Sequence, residues 1–116
     1  MPEQSWRGAE VRFIDYDQVL ADIRRAVAEA KAARPEIVKV YLFGSLVQGN
    51  WTADSDADLI VVVSREFADI FERGNYHISV KSIPTDTVVY SESEFAKLAQ
   101  DHSSFLAQNL PTAIEL

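Results

Sequence analysis

The sequence contains no cysteine, which excludes disulfides and thiolate metal sites and leaves nothing that points to an oxidising compartment. It has no apolar run approaching the ~18 residues that a membrane span needs. Its first residues, Met1-Pro2-Glu3-Gln4-Ser5-Trp6-Arg7, lack the apolar stretch of a secretory signal. These absences set the expectation of a cytoplasmic protein without a membrane partner. Cations are scarce: 11 Lys and Arg stand against 18 Asp and Glu, a net charge of -7, and no cationic run is longer than Arg24-Arg25. Direct nucleic-acid binding, which needs Lys and Arg to neutralise phosphates, is therefore disfavoured. The acidic balance fits docking to a basic protein surface, or it serves solubility alone. The two histidines, His77 and His102, are isolated from any ligand pattern and read as surface or packing residues. Repeats, low-complexity segments and interdomain linkers are also missing.

What is present fits one domain over residues 1–116, with a single core and an ordinary 47% hydrophobic content. Residues 1–13 lack clear periodicity and read as a loose arm or an added edge strand. Asp15-Tyr16-Asp17-Gln18 fits a capping box, and Val19, Leu20, Ile23 and Val27 follow at helical spacing. That helix must stop before Pro35, because the residue preceding proline avoids helical angles. Ile37 to Phe43 reads as a first strand and Ser45 to Gly49 as a short helical turn. Leu59 to Val63 is a second strand, apolar at all five positions and so buried on both faces. Glu66 to Arg73, with Phe67, Ile70 and Phe71, reads as a helix ended by Gly74-Asn75. Tyr76 to Val80 alternates apolar and polar residues, as a short strand or an extended loop would. Asp86 to Tyr90 is a third strand, and Ser91-Glu92-Ser93-Glu94 is a second capping box. Phe95, Leu98 and Ala99 give the following helix an apolar face, and Phe105 and Leu106 continue a helical pattern toward Pro111. The fold class is α/β in the α+β sense, a small mixed sheet flanked by helices.

The chemistry concentrates between Phe43 and Val63. A strand ends in Gly44-Ser45, and ten residues separate Ser45 from Asp56, with Asp58 two positions on. Residues i and i+2 of a strand share a face, so Asp56 and Asp58 project together with Ala57 turned away. Two carboxylates so placed repel unless a cation sits between them, and at the tip of a buried strand they form a candidate hard-metal site. Ser45 follows the first strand, whereas Asp58 precedes the body of the second, so these strands must be antiparallel for both to face one site. More than twenty residues lie between Val63 and Asp86, enough for a crossover to a parallel neighbour. Asp86 would then begin at the same end as Asp58.

Gly44-Ser45, the ten-residue gap and Asp56-x-Asp58 resemble the nucleotidyltransferase superfamily related to DNA polymerase β, above all its minimal stand-alone bacterial and archaeal members. The likeness runs from the first helix to Ala113-Ile114-Glu115-Leu116. It implies a polymerase β-like nucleotidyltransferase fold and an enzyme that transfers AMP from ATP to a hydroxyl. It implies that Asp56 and Asp58 bind two magnesium ions, and that Asp86, as third carboxylate, binds the catalytic ion and helps deprotonate the acceptor. Gly44 and Ser45 would approach the β- or γ-phosphate, and Gly49 recurs where the family expects it. Many relatives carry an arginine before that glycine; here Gln48 stands instead, which keeps open a catalytically weak nucleotide-binding or interaction module. Trp51 is placed either to stack on a base or to anchor its own loop. Arg73 and Lys81 read as solvated charges, with phosphate contact the lesser alternative. Minimal nucleotidyltransferases commonly pair with a helical RNase toxin of the HEPN group and act as its antitoxin, some by adenylylating a toxin tyrosine. A HEPN-type partner and AMPylation are thus what the resemblance implies, with aminoglycoside-like small-molecule transfer the alternative. The oligomeric state is not legible from the sequence.

Overall fold

The computed structural model describes residues 15–49, 51, 52 and 54–116. The arm or edge strand expected over residues 1–13 lies outside the described residues. Helix α1, Tyr16–Ala33, starts where the sequence places it: Asp15 is the cap and its carboxylate accepts from the Gln18 amide at 3.2 Å. Only half of the expected capping box forms, because the Gln18 side chain donates to Asp22 at 2.9 Å instead. A cap of this kind contributes about 1 kcal/mol. Val19, Ile23 and Val27 are buried along one stripe, and the helix ends ahead of Pro35.

The sheet has four strands in the order β3-β2-β1-β4. Strand β1 (Ile37–Phe43) pairs antiparallel with β2 (Ala57–Val63), and β2 pairs parallel with β3 (Thr85–Ser91), as the site argument requires. A two-residue strand β4, Ile114–Glu115, closes the other edge against Tyr41 and Leu42. Strand β2 is central, and Leu59 to Val63 are each at most 2% exposed. Leu59, Val61 and Val63 join Val40, Leu42 and α1 in one cluster, while Ile60 and Val62 join Phe43 and Leu106 in another. The period of two thus sends alternate residues into two cores. Burying each such side chain stabilises the fold by about 1.5–3 kcal/mol.

The segment Glu66 to Arg73 departs from expectation. A 3-10 helix spans Ile70–Tyr76 and runs through Gly74-Asn75. Asp69 caps it, accepting from the amides of Phe71 and Glu72 at 2.9 and 3.2 Å. The Glu72 carboxylate takes the Ala68 amide and the Arg65 guanidinium, each at 2.9 Å. These side-chain acceptors compete with the backbone for the donors of a longer helix. Phe71 is 82% exposed and takes no part in a buried helical face. Of the segment Tyr76 to Val80, Tyr76 ends that helix and His77 to Val80 leave it as an extended loop with an isolated bridge between Val80 and Ile83.

The short turn Ser45–Gln48 after β1 is helix α2, and beyond β3 Ser91 and Glu94 form a complete capping box for helix α3, Glu92–Ala99. Arg73 grips Glu94 through two nitrogens at 2.9 and 2.6 Å and the Val89 carbonyl at 2.7 Å, tying the crossover to the sheet. Helix α4 (Phe105–Asn109) is capped by Ser104, and a 3-10 turn, Leu110–Thr112, leads into β4. Helices α3 and α4 cover the face opposite α1. Among the described residues, no helix is long and apolar enough to cross a membrane.

Candidate active site

The end of the sheet where β1 finishes and β2 and β3 begin collects the acids. Asp58 lies opposite Phe43 of β1 on one side and opposite Asp86 of β3 on the other. Asp58 is in phase with Ile60 and Val62, so it opens onto the face covered further along by α3 and α4. Asp56 comes just before β2, and the intervening Ala57 is fully buried toward α1. Asp56 and Asp86 are exposed and Asp58 is half-buried.

Burial pushes the Asp58 carboxyl above the ordinary aspartate range, and the charges of Asp86 and then Asp56 push it the same way. Three negative groups therefore act on one another at this end of the sheet. Among the described residues, none of these acids makes a hydrogen bond or an ion pair that would offset the repulsion. Nor do any three acidic or histidine side chains, as oriented among the described residues, converge closely enough to hold a metal ion. The donor set itself fits a hard cation: all oxygen, anionic, unbonded, and with its two outer members exposed. Repulsion splays such a set, and a divalent ion would draw it together.

Gly44 has a role that the sequence motif does not reveal. Its backbone sits at φ 85° and ψ -153°, a region essentially restricted to glycine. A Cβ there would overlap Oδ2 of Asp58 and lie 3.3 Å from its Cγ. The glycine thus makes room for the central carboxylate, beyond allowing close backbone approach to a phosphate. Helix α2 follows, with Gly44 rather than Ser45 at the cap position and no side-chain cap. Ser45 is the first helical residue, and its hydroxyl has no partner among the described residues. The amides of Val47 and Gln48 both reach the Gly44 carbonyl at 3.1 Å, while those of Ser45 and Leu46 have no acceptor within so short a helix. Gly49 ends the turn in the left-handed conformation, and Gln48 is exposed beside it.

The other sequence candidates lie elsewhere or are engaged. Trp51 is half-buried against Tyr16, with ring centres 5.4 Å apart, and packs on the α1 core. It anchors its loop. Arg73 is committed to Glu94 and Val89 and lies over the Phe67 ring. Lys81 borders a cleft with Asp22, Arg25 and Glu29. His77 stands by Thr85 at 3.4 Å, and His102 is exposed. Clefts beside α1 and beside β3 have none of the three acids in their walls.

Residues 21–111 match the family model of the nucleotidyltransferase domain. A solved structure of similar fold is the 1.40 Å crystal structure of a candidate nucleotidyltransferase from Sulfolobus solfataricus. It is 23% identical, with a TM-score of 0.56 over 71% of this chain and 75% of that one, a likeness that speaks to the fold. No curated protein matches the sequence.

Proposed function

The chain belongs to the nucleotidyltransferase domain family, and from that premise we propose that it transfers AMP from ATP to a hydroxyl of a separate protein. The acceptor is a tyrosine of a helical HEPN-type partner, whose RNase activity the modification silences, so that the chain acts as an antitoxin. One observation carries the transfer reading: Asp58 on the central strand, flanked by Asp56 and Asp86, above a glycine that leaves room for its carboxylate.

Asp56, Asp58 and Asp86 would hold two magnesium ions, which neutralise a triphosphate and lower the pKa of an attacking hydroxyl when bound. Asp86, exposed at the start of an outer strand, accepts the acceptor's proton at a carboxylate oxygen. The acceptor oxygen forms a bond to the α-phosphorus. The bond from that phosphorus to the bridging oxygen breaks, and pyrophosphate leaves with the electron pair. The Ser45 hydroxyl donates to a β- or γ-phosphate oxygen, assisted by the unpaired amides of the first helical turn. The exposure of Asp56 and Asp86 supports a macromolecular acceptor, and a net charge of -7 favours a basic protein over RNA or DNA.

The test is incubation with ATP, magnesium and a small helical protein of the HEPN type, sought in the neighbouring reading frame. The partner should gain the mass of one AMP per modified hydroxyl and lose RNase activity. Asp56→Ala should block the mass gain while leaving complex formation intact. Labelling of a free aminoglycoside or a tRNA end by this chain alone, with no protein labelled, would contradict the protein-acceptor reading.

A further inference from the structure

Trp51 turns its ring to the α1 side of the sheet, away from the face that carries Asp58. That face has a different aromatic at its rim. Phe105 keeps 47% of its surface exposed, whereas its neighbour Leu106 is fully buried, so α4 is pinned with the Phe105 ring outside. The ring meets Phe43 edge-on, with centres 5.4 Å apart and planes at 80°. Phe43 is the residue directly opposite Asp58 across β1 and β2. Residues directly opposite in an antiparallel ladder carry their side chains on the same face, so Phe43 links the Phe105 ring to the face that bears the central acid.

A single exposed apolar side chain is ordinary. This one is set apart by its place and its fixation. It stands on the acid face, beside the strand end that carries Gly44-Ser45. Its helix is held by the Ser104 cap, by the Ser104 hydroxyl bonded to the Leu98 carbonyl at 2.7 Å, and by Asn109 bonded to the Phe105 carbonyl at 2.8 Å. Other rings packed on this face are engaged: Tyr41 stacks on Phe95 at 5.7 Å, and Tyr90 is half-buried. Phe71 is more exposed but belongs to the 3-10 helix that Arg73 ties to the later half of β3.

We propose that the Phe105 ring is the stacking platform for the base of the donor nucleotide, whose phosphates lie against Gly44, Ser45 and the acids. The proposal rests on the nucleotidyl-transfer reading and assigns the base contact within it. A bare aromatic platform offers a face and no hydrogen-bond pattern, so it accepts any base and favours the larger purines. ATP and GTP should bind alike, and CTP and UTP more weakly.

The test compares magnesium-ATP with magnesium-tripolyphosphate by calorimetry on the wild type, Phe105→Ala and Phe105→Trp. Tripolyphosphate shares the phosphates and has no base. Phe105→Ala should weaken ATP binding roughly tenfold to a hundredfold and change tripolyphosphate binding by less than about twofold. Phe105→Trp should keep or tighten ATP binding, which also shows that the position tolerates change. Equal losses for both ligands, or unchanged ATP binding in Phe105→Ala, would overturn the platform while leaving nucleotide binding in place. A wild type that binds neither ligand would remove the nucleotidyl-transfer reading and the platform with it.

Discussion

Replacing Gly44 by alanine perturbs two things at once, and they can be separated. The backbone at φ 85° and ψ -153° lies in a region where a side chain costs about 1–3 kcal/mol. Stiffening the unfolded chain returns about 0.4–1 kcal/mol of that. The new Cβ also overlaps Oδ2 of Asp58, so the carboxylate must turn off its rotamer, at about 0.5–1.5 kcal/mol. The sum is a loss of about 2 kcal/mol, or roughly 8 °C in Tm for a domain of this size. Urea unfolding followed by far-UV circular dichroism measures it. The two parts separate in the Asp58→Ala background, where the carboxylate is gone and Cβ of residue 58 stands at an ordinary 3.6 Å from the new methyl. There the loss should shrink by about 0.5–1.5 kcal/mol, a coupling that a double-mutant cycle reads directly. A loss below about 0.5 kcal/mol would refute the backbone argument. Equal losses in both backgrounds would refute the contact with Asp58.

Three further outcomes follow from the same structure. Magnesium-ATP at a hundred times its Kd should stabilise the wild type by about 2.7 kcal/mol, and thermal melts should show most of that shift gone in Asp58→Asn. Because the Asp58 carboxyl is raised when folded, its stabilising contribution is complete below the ordinary aspartate range and is lost as pH rises through its folded value. At neutral pH Asp58→Asn should therefore be more stable than the wild type without ligand, by less than the about 1.4 kcal/mol per unit of displacement that a fully buried carboxyl would give, because solvent screens the partly exposed group, with a flatter pH profile on the mildly acidic side. Glu94 has the opposite sign: Arg73 holds its carboxyl at about 2, so its contribution is present above the ordinary glutamate range and is lost as pH falls toward 2. With 37% of the Glu94 side chain exposed, screening reduces the loss in Glu94→Gln to about 1–2 kcal/mol, readable by urea unfolding at pH 7.

Much of the framework is legible because local signals and geometry agree. The run Leu59 to Val63 is apolar throughout, and only a central strand covered on both faces buries all of it. The positions of Ser45 after one strand and Asp58 before another leave one relative direction, which the ladder has. Both capping sequences mark true helix starts, although the Gln18 side chain finds Asp22 instead of the cap backbone. The failures have physical sources. Residues 66–73 carry helical spacing, but Asp69 and Glu72 take the amides that a regular helix would use. Strand β4 has two residues, too few to leave a pattern, and pairs with β1 by tertiary proximity. Within the site, the motif names Gly44 and the acids but not their contact, because a clash between Gly44 and Asp58 depends on the register of β1 with β2. Trp51 and Phe105 illustrate the same limit: sequence distance from the motif says nothing about which face of the sheet a ring occupies.

The central claim is that Asp56, Asp58 and Asp86 form a metal-dependent nucleotide site, and anomalous diffraction tests it most directly. Crystals grown with manganese and a non-hydrolysable ATP analogue should show anomalous density bounded by these three carboxylates, with the triphosphate against Gly44 and Ser45. Manganese bound elsewhere, or a nucleotide bound away from the three acids, would contradict the account.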